Sequence, residues 1–98
     1  MQLAILLRLE PDASEQAQAG HRAEEARAVW FHQTSGVLRS IHFHDGPGVL
    51  MIVETDDRRA AEQLAADLPM VRAGLLGAEV LALKPFAGLD ILFADTAA

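Results

Sequence analysis

The middle of the sequence contains two β-like runs joined by a short turn. The first run is GVLRSIHFH (36–44), the turn is DGPG (45–48), and the second run is VLMIVE (49–54). An Asp-Gly pair between two such runs is typical of a β-hairpin, and the nearby proline favours a loop longer than the tightest type. The predicted hairpin divides the rest of the chain into one segment before it and one segment after it.

The segment before the hairpin predicts a strand followed by a helix. LAILLRL (3–9) is a nearly continuous apolar run, which is typical of a central strand covered on both faces. Asp12 and Glu15 have the spacing of a capping box. Gly20 weakens a helix by about 1 kcal/mol relative to alanine, so we expect the helix proper to begin near His21.

The segment after the hairpin predicts a second helix and a last strand. TDD (55–57) places carboxylates at a helix start, and Pro69 ends that helix. AEVLALKP (78–85) is the expected last strand, and Gly36 is the expected C-terminal cap of the first helix. The tail (86–98) is so apolar that we expect it to dock on another surface, such as a neighbouring subunit.

The resulting order, β-α-β-β-α-β, predicts an α+β, ferredoxin-like fold with a four-stranded antiparallel sheet and two helices on one face. Residues 1–98 are expected to form this single domain, with the apolar tail attached. The runs 3–9 and 49–53 are apolar on both faces, although the helices cover only one. A second copy of the chain, packed against the face that the helices leave uncovered, would bury that face. We therefore expect a homodimer or higher homo-oligomer built as a dimeric α+β barrel.

Composition narrows the function classes. The formal net charge is −6 without a Lys/Arg cluster, which argues against nucleic acid as a partner. The chain has no cysteine, which excludes a thiol nucleophile and favours the cytoplasm. The first eleven residues lack a basic leader and the length of a membrane span, so no membrane association is expected. No phosphate loop or dinucleotide fingerprint is present, so no nucleotide or flavin cofactor is expected. The negative net charge still allows a small neutral or anionic ligand, held by a few local cations.

Several short motifs resemble those of the small muconolactone isomerase-like proteins. They are Glu24-Glu25-Ala26 with Val29-Trp30, Gly36-Val37-Leu38-Arg39, Glu54, Leu68-Pro69-Met70-Val71, and Gly74-Leu75-Leu76. The resemblance covers nearly the whole chain and implies a dimeric α+β barrel. It also implies a cofactor-independent proton transfer that moves a double bond in a small lactone carboxylate. The apolar ending PFAGLDILF (85–93) differs from the more polar ending of the authentic isomerases, and makes the chain more similar to the uncharacterised branch of the family.

The second strand carries most of the candidate site residues. Because side chains alternate along a strand, one set is expected to line the barrel interior or a pocket, and the other to pack against the helices. The first set is Leu38, Ser40, His42 and His44, and the second is Val37, Arg39, Ile41 and Phe43. Ser40 is therefore a candidate substrate-binding residue.

Arg39 is unexpected in the apolar set, because a guanidinium among apolar side chains is costly unless it is paired. It should lie near the sheet edge or meet a carboxylate. The partner is either protein, with Glu25 and Glu54 as candidates, or the carboxylate of a substrate. The residues themselves favour a protein partner, and the family resemblance makes the substrate an equal alternative.

His42 and His44 have H-x-H spacing, which metal sites on strands use. A metal site needs a third protein ligand, and local spacing supplies none, so no metal is expected. His42 is a candidate general acid or base, because histidine titrates near neutrality. The alternative is a partly solvated histidine without a role, which is favoured for His44.

Three further candidates depend on context. On a helical wheel centred on Trp30, Glu25 lies on the far side with His21, which predicts solvent exposure, whereas the resemblance makes Glu25 a catalytic candidate. Trp30 is expected in the core, with the wall of a substrate pocket as the alternative. Glu54 is a general base if it is buried beside His42, and otherwise a solvated carboxylate.

Two functions follow. The first is a muconolactone isomerase-like activity, in which Arg39 holds a small lactone or carboxylate and His42 or a glutamate moves a proton. The second is a non-catalytic, small-molecule-binding or stress-associated homodimer. The first needs Arg39 and an acid/base group at one cavity, whereas the second needs only an apolar cavity.

Overall fold

The computed structural model describes residues 1–94. The chain forms one antiparallel sheet of four strands in the order β2-β3-β1-β4. The predicted β-α-β-β-α-β order and the α+β, ferredoxin-like fold are therefore confirmed. The elements are β1 (Gln2–Leu9), α1 (Glu15–Thr34), β2 (Leu38–His44), β3 (Gly48–Glu54), α2 (Arg58–Asp67), α3 (Pro69–Arg72), β4 (Leu76–Ala82) and a 3₁₀ helix, η1 (Ala87–Leu92).

The first helix begins earlier than predicted. Ser14 is its N-cap, and the Ser14 hydroxyl accepts a hydrogen bond from the Ala17 amide at 3.1 Å. The expected capping box of Asp12 and Glu15 was therefore wrong, as was a start near His21. A serine cap with a full helical turn of hydrogen bonds outweighs the cost of the internal glycine.

The other element ends follow local signals closely. Gly36 has φ of +84°, and its amide donates to the Gln33 carbonyl, so it ends α1 as predicted. Asp57 caps α2, accepting a hydrogen bond from the Ala60 amide at 2.9 Å. Pro69 follows the end of α2 and is the first residue of α3. The N–H group at the first helical position has no partner within the helix, so its absence in proline has no cost there.

A β-bulge interrupts the second strand. The register pairs Leu38 with Val53 and Ser40 with Ile52, so Arg39 is the extra residue. Strict alternation along this strand was therefore a wrong expectation for Leu38, which lies on the helix-covered face and is buried.

The core lies between the sheet and α2. Its largest fully buried side chains are Leu3, Ile5, Leu7, Met51, Val53 and Leu68. By contrast, α1 contributes no buried residue. The first helix therefore packs less closely over the sheet than α2 does, and this leaves a cleft beneath it.

The opposite face of the sheet has no covering layer within residues 1–94. Leu6, Leu50, Ile52 and Leu81 share this face through the strand register. At its margin, Arg8 forms an ion pair with Glu79 at 3.0 Å. We call this apolar surface the open face. No helix within residues 1–94 is long and apolar enough to cross a membrane.

Candidate functional site

A cleft of about 710 Å³ lies between α1, the β2–β3 hairpin and the start of α3. Its volume is within the range that small-molecule sites occupy. Apolar side chains from the sheet form its floor, including Leu7, Ile41, Val49 and Met51. The polar groups around it are Gln18, Arg22, Glu25, Gln33, His42 and His44.

Glu25 lies in the wall of the cleft and is half-buried. Its Oε1 accepts a hydrogen bond from the Met70 amide at 3.2 Å. That amide is in the first turn of α3, where an N–H group has no partner within the helix. The sequence places the two residues 45 positions apart, so only the packing of α1 against α3 brings them together.

Burial raises the pKa of the Glu25 carboxyl above its usual value, and the Met70 hydrogen bond and nearby His21 lower it in part. A carboxyl whose pKa moves towards neutrality is better suited to exchange a proton with a ligand. His21 itself is fixed by a hydrogen bond from its Nδ1 to the Ala17 carbonyl at 2.9 Å.

The helical wheel gave α1 the wrong orientation. Glu25, Ala28 and Val29 are partly buried, whereas Trp30 is 63% exposed. Trp30 is therefore not a core residue of the single chain, but it does border the cleft. The prediction centred the stripe on the largest aromatic residue, while the side of α1 that meets the protein is mixed in polarity.

His44 has a structural role in the β2–β3 hairpin. Its Nδ1 accepts a hydrogen bond from the Gly46 amide at 3.1 Å, and its Nε2 donates to the Leu7 carbonyl at 2.8 Å. These two contacts define the neutral tautomer with hydrogen on Nε2. With both nitrogens engaged, His44 has no lone pair left for a metal ion.

His42 is exposed and borders the cleft where the edge strand β2 meets it. Its register partner is Leu50, so its side chain shares the open face. Within residues 1–94, no group of three or more histidine, aspartate or glutamate side chains is arranged to hold a metal ion.

Three candidates do not line the cleft. Arg39 is exposed at the bulge of the edge strand, the edge position that the sequence predicted, and it makes no ion pair among residues 1–94. Its candidate partner Glu54 instead binds the N-terminal ammonium of Met1 at 3.0 Å. Ser40 pairs with Ile52, so it lies on the open face. The cleft thus brings together Glu25 and Trp30, whereas the side chain of His42 shares the open face with Ser40.

Sequence reasoning missed three polar residues of the cleft. They are Gln18, Arg22 and Gln33, all on α1. Their spacing would have revealed them, because with Glu25 and Val29 they recur every three or four positions. Arg22 is held at the mouth of the cleft by an ion pair with Glu15.

No family model matches the sequence, and no curated protein matches it. A solved structure is similar in fold: 5-chloro-2-hydroxyhydroquinone dehydrochlorinase from Burkholderia phenoliruptrix, in complex with 2,5-dihydroxybenzoquinone. The two superpose with a TM-score of 0.72 at 16% sequence identity, over 86% of this chain and 94% of that one. At this identity, the similarity shows that the two chains share a fold.

Proposed function

We propose that this protein binds a small ring compound in the cleft beneath α1 and catalyses a cofactor-independent proton shift on it. The observation that carries the proposal is Glu25, a half-buried carboxyl in the cleft wall whose pKa is raised by burial. The resemblance to muconolactone isomerase-like proteins supports a small lactone or carboxylate as the substrate class.

In the proposed reaction, the Glu25 carboxylate removes a proton from one carbon of the bound ring. The double bond shifts, and the resulting carboxylic acid returns the proton to a second carbon, so the enzyme is unchanged at the end. Glu25 can reach both carbons only if the ring is held in one orientation. The apolar floor and the amides of Gln18 and Gln33 would provide that orientation.

Two sequence-based roles change in this proposal. Arg22 is the arginine that lines the cleft, so it replaces Arg39 as the group that attracts a substrate carboxylate. The proposed reaction gives His42 no part, because its side chain shares the open face with Ser40. Trp30 remains a candidate for stacking on a planar ring. Ser40 and Glu54 have no part in the proposed reaction.

The predominantly apolar wall favours a second candidate function, a ligand-binding protein without turnover. Binding needs only the cleft, whereas turnover also needs Glu25 close to an acidic C–H group. The fold neighbour, whose solved complex contains 2,5-dihydroxybenzoquinone, makes a small planar ring the natural probe for both functions.

The proposal includes a homodimer. Leu6, Leu50, Ile52 and Leu81 form an apolar centre on the open face, with the Arg8–Glu79 ion pair at its margin. An apolar centre with a polar rim is the usual composition of a protein interface. Two copies packed through this face would form the proposed dimeric α+β barrel in the cytoplasm.

The test combines binding with hydrogen exchange. Trp30 is the only tryptophan, so quenching of its emission by 2,5-dihydroxybenzoquinone or a muconolactone would report binding. Incorporation of solvent deuterium into the muconolactone, followed by NMR, would report proton transfer. We expect Glu25→Gln to bind the probes and to lose exchange by about 10²–10⁴-fold, while the exposed neighbour Glu24→Gln retains it.

Each outcome is decisive. Binding without exchange by the unmodified protein would support the second candidate function. Full exchange by Glu25→Gln would remove Glu25 from the mechanism. Failure of both probes to bind at millimolar concentration would contradict both functions for this class of ring.

A further inference from the structure

An apolar arm follows β4, and we define it as residues 84–94. Each of its large apolar side chains is between 58% and 79% exposed. They are Phe86, Leu89, Ile91, Leu92 and Phe93. So dense a run of exposed apolar side chains indicates a surface that is covered in the assembled protein.

The arm extends away from the rest of the chain. The radius of gyration is 16.9 Å, whereas a compact chain of 100 residues has a value of about 13 Å. The longest dimension is 64 Å, although the 20-residue helix α1 spans only about 30 Å. This length and the exposure of the arm's side chains together indicate that the arm projects from the sheet.

The arm also begins on the far side of the sheet from its own cleft. Ala82 of β4 pairs with Leu3, so the arm leaves near the start of β1. The cleft runs from His44, at the opposite end of the sheet, to Gln33 in the last turn of α1, at the same end as the arm. Moreover, β4 and β2 are the two outer strands, so the full width of the sheet separates them.

The mouth of the cleft presents the complementary surface. Trp30 and Phe43 border the cleft and are 63% and 93% exposed. Phe31, next to Trp30, is also exposed. The cleft is therefore open on a side that carries aromatic rings, and ligand bound there would remain in contact with water.

We propose that the arm of one copy lies across the cleft mouth of a second copy, covers Trp30 and Phe43, and completes the ligand site. The exchange is reciprocal, as two-fold symmetry requires. A fully exposed aromatic side chain presents about 200 Å². Phe86 and Phe93 are 79% and 67% exposed, so together they would bury about 300 Å² per arm. The aliphatic residues of the arm and the surface that the arm covers add to this buried area, and the second arm doubles it. The total area buried between the two copies then reaches the roughly 1,200–2,000 Å² of a standard interface.

The inference rests on the proposed function only in that the cleft is taken as the ligand site. Its first test therefore involves no ligand. The chain contains no cysteine, so single cysteines can be introduced without background. Gln33→Cys, at the cleft, and Leu89→Cys, in the arm, would be made in separate chains of different mass, mixed and oxidised.

We expect a disulfide between the two different chains, formed at least tenfold faster than with Gln63→Cys in place of Gln33→Cys. Gln63 is an exposed glutamine on α2 and is not part of the cleft, so it is a matched control. Equal rates for the two glutamine positions would overturn the proposal. A further variant would carry both cysteines in one chain. A disulfide that forms only within that chain would also overturn the proposal, because the arm would then fold back on its own cleft.

A second test uses Trp30 as the reporter. Truncation after Leu83 removes the arm, and we expect the tryptophan emission to shift to longer wavelength as the ring becomes solvated. Leu89→Asp with Ile91→Asp in the full chain should produce the same shift, which controls for misfolding of the truncated form. An unchanged emission in the soluble, folded variants would overturn docking at this mouth, even if the probes of the proposed function bind.

Discussion

The Met70 amide donates a hydrogen bond to Oε1 of Glu25 at 3.2 Å, and this contact joins α3 to α1 at the wall of the cleft. It restricts the position of a carboxyl that burial would otherwise leave poorly solvated. The same contact supports both the proposed chemistry and the way α1 is held over the sheet.

Glu25 should make stability depend on pH. Because its folded-state pKa is raised above 4.5, the stability it contributes is fully present below that value and is lost as pH rises through the raised pKa. Glu25→Gln should therefore gain free energy of unfolding relative to the unmodified protein as pH increases from about 4 to 8. Urea unfolding at several pH values measures the difference. A parallel pH dependence for both proteins would contradict the prediction, and the exposed Glu24→Gln should show no such gain.

His44→Ala should destabilise the hairpin. The substitution removes the hydrogen bonds to Leu7 and Gly46, and we expect a loss of about 1–3 kcal/mol in the free energy of unfolding. His42→Ala is the matched control, since His42 is exposed on the same strand, and we expect a change within about 0.5 kcal/mol. Urea denaturation compares the two, and a larger loss for His42→Ala would contradict the assignment.

Gly48 is the first residue of β3 and pairs with Arg8 of β1. A Cβ at this position would be 1.9 Å from the Leu7 carbonyl oxygen, so Gly48→Ala requires the backbone to move. We expect a loss of about 1–3 kcal/mol. Gly20→Ala, in the middle of α1 with open space around it, should instead add about 0.5–1 kcal/mol. Thermal unfolding of both variants should move the midpoint in opposite directions, and shifts of the same sign would refute this account.

The two arginines should differ in ligand binding. Arg22 lines the cleft and Arg39 does not, so Arg22→Gln should weaken binding of a carboxylate-bearing lactone by about tenfold, the scale of one charge-assisted contact. Arg39→Gln should change the dissociation constant by no more than about twofold. Titration of Trp30 fluorescence measures both constants. The reverse order would place Arg39 in the site and remove Arg22 from it.

Leu50→Glu, made in chains truncated after Leu83 so that no arm exchange remains, should convert the proposed dimer to a monomer. It introduces a charge at the centre of the open face, where a second sheet would exclude water. Ala66→Glu, on the exposed side of α2, is the control and should leave the assembly unchanged. Sedimentation at about 10 µM distinguishes the two states, and a sheet-paired dimer that persists in Leu50→Glu would contradict packing through this face.

Local signals predicted the architecture well. Gly36 and Asp57 marked a helix end and a helix start through their own backbone and side-chain preferences. The hairpin followed from a turn sequence between two β-like runs. Such signals act over a few residues and need no knowledge of what packs nearby.

The site was only partly predictable. Trp30 was identified as a possible pocket wall and borders the cleft, whereas the side chain of His42 shares the open face. Glu25 was identified by resemblance alone, because the wheel placed it in solvent. Arg39 was assigned to ligand binding on chemical grounds, yet the bulge leaves it at the sheet edge, away from the cleft.

The sequence by itself determined the order of strands and helices and the need to cover apolar surface, since hydrophobic periodicity and turn residues act locally. Only the tertiary structure decided which side of α1 meets the protein, where β2 breaks its alternation, and which amide holds Glu25. The physical reason is that these features depend on contacts between distant positions, such as Glu25 with Met70. A carboxylate acquires an unusual pKa from the atoms that surround it, and those atoms come from other elements of the fold.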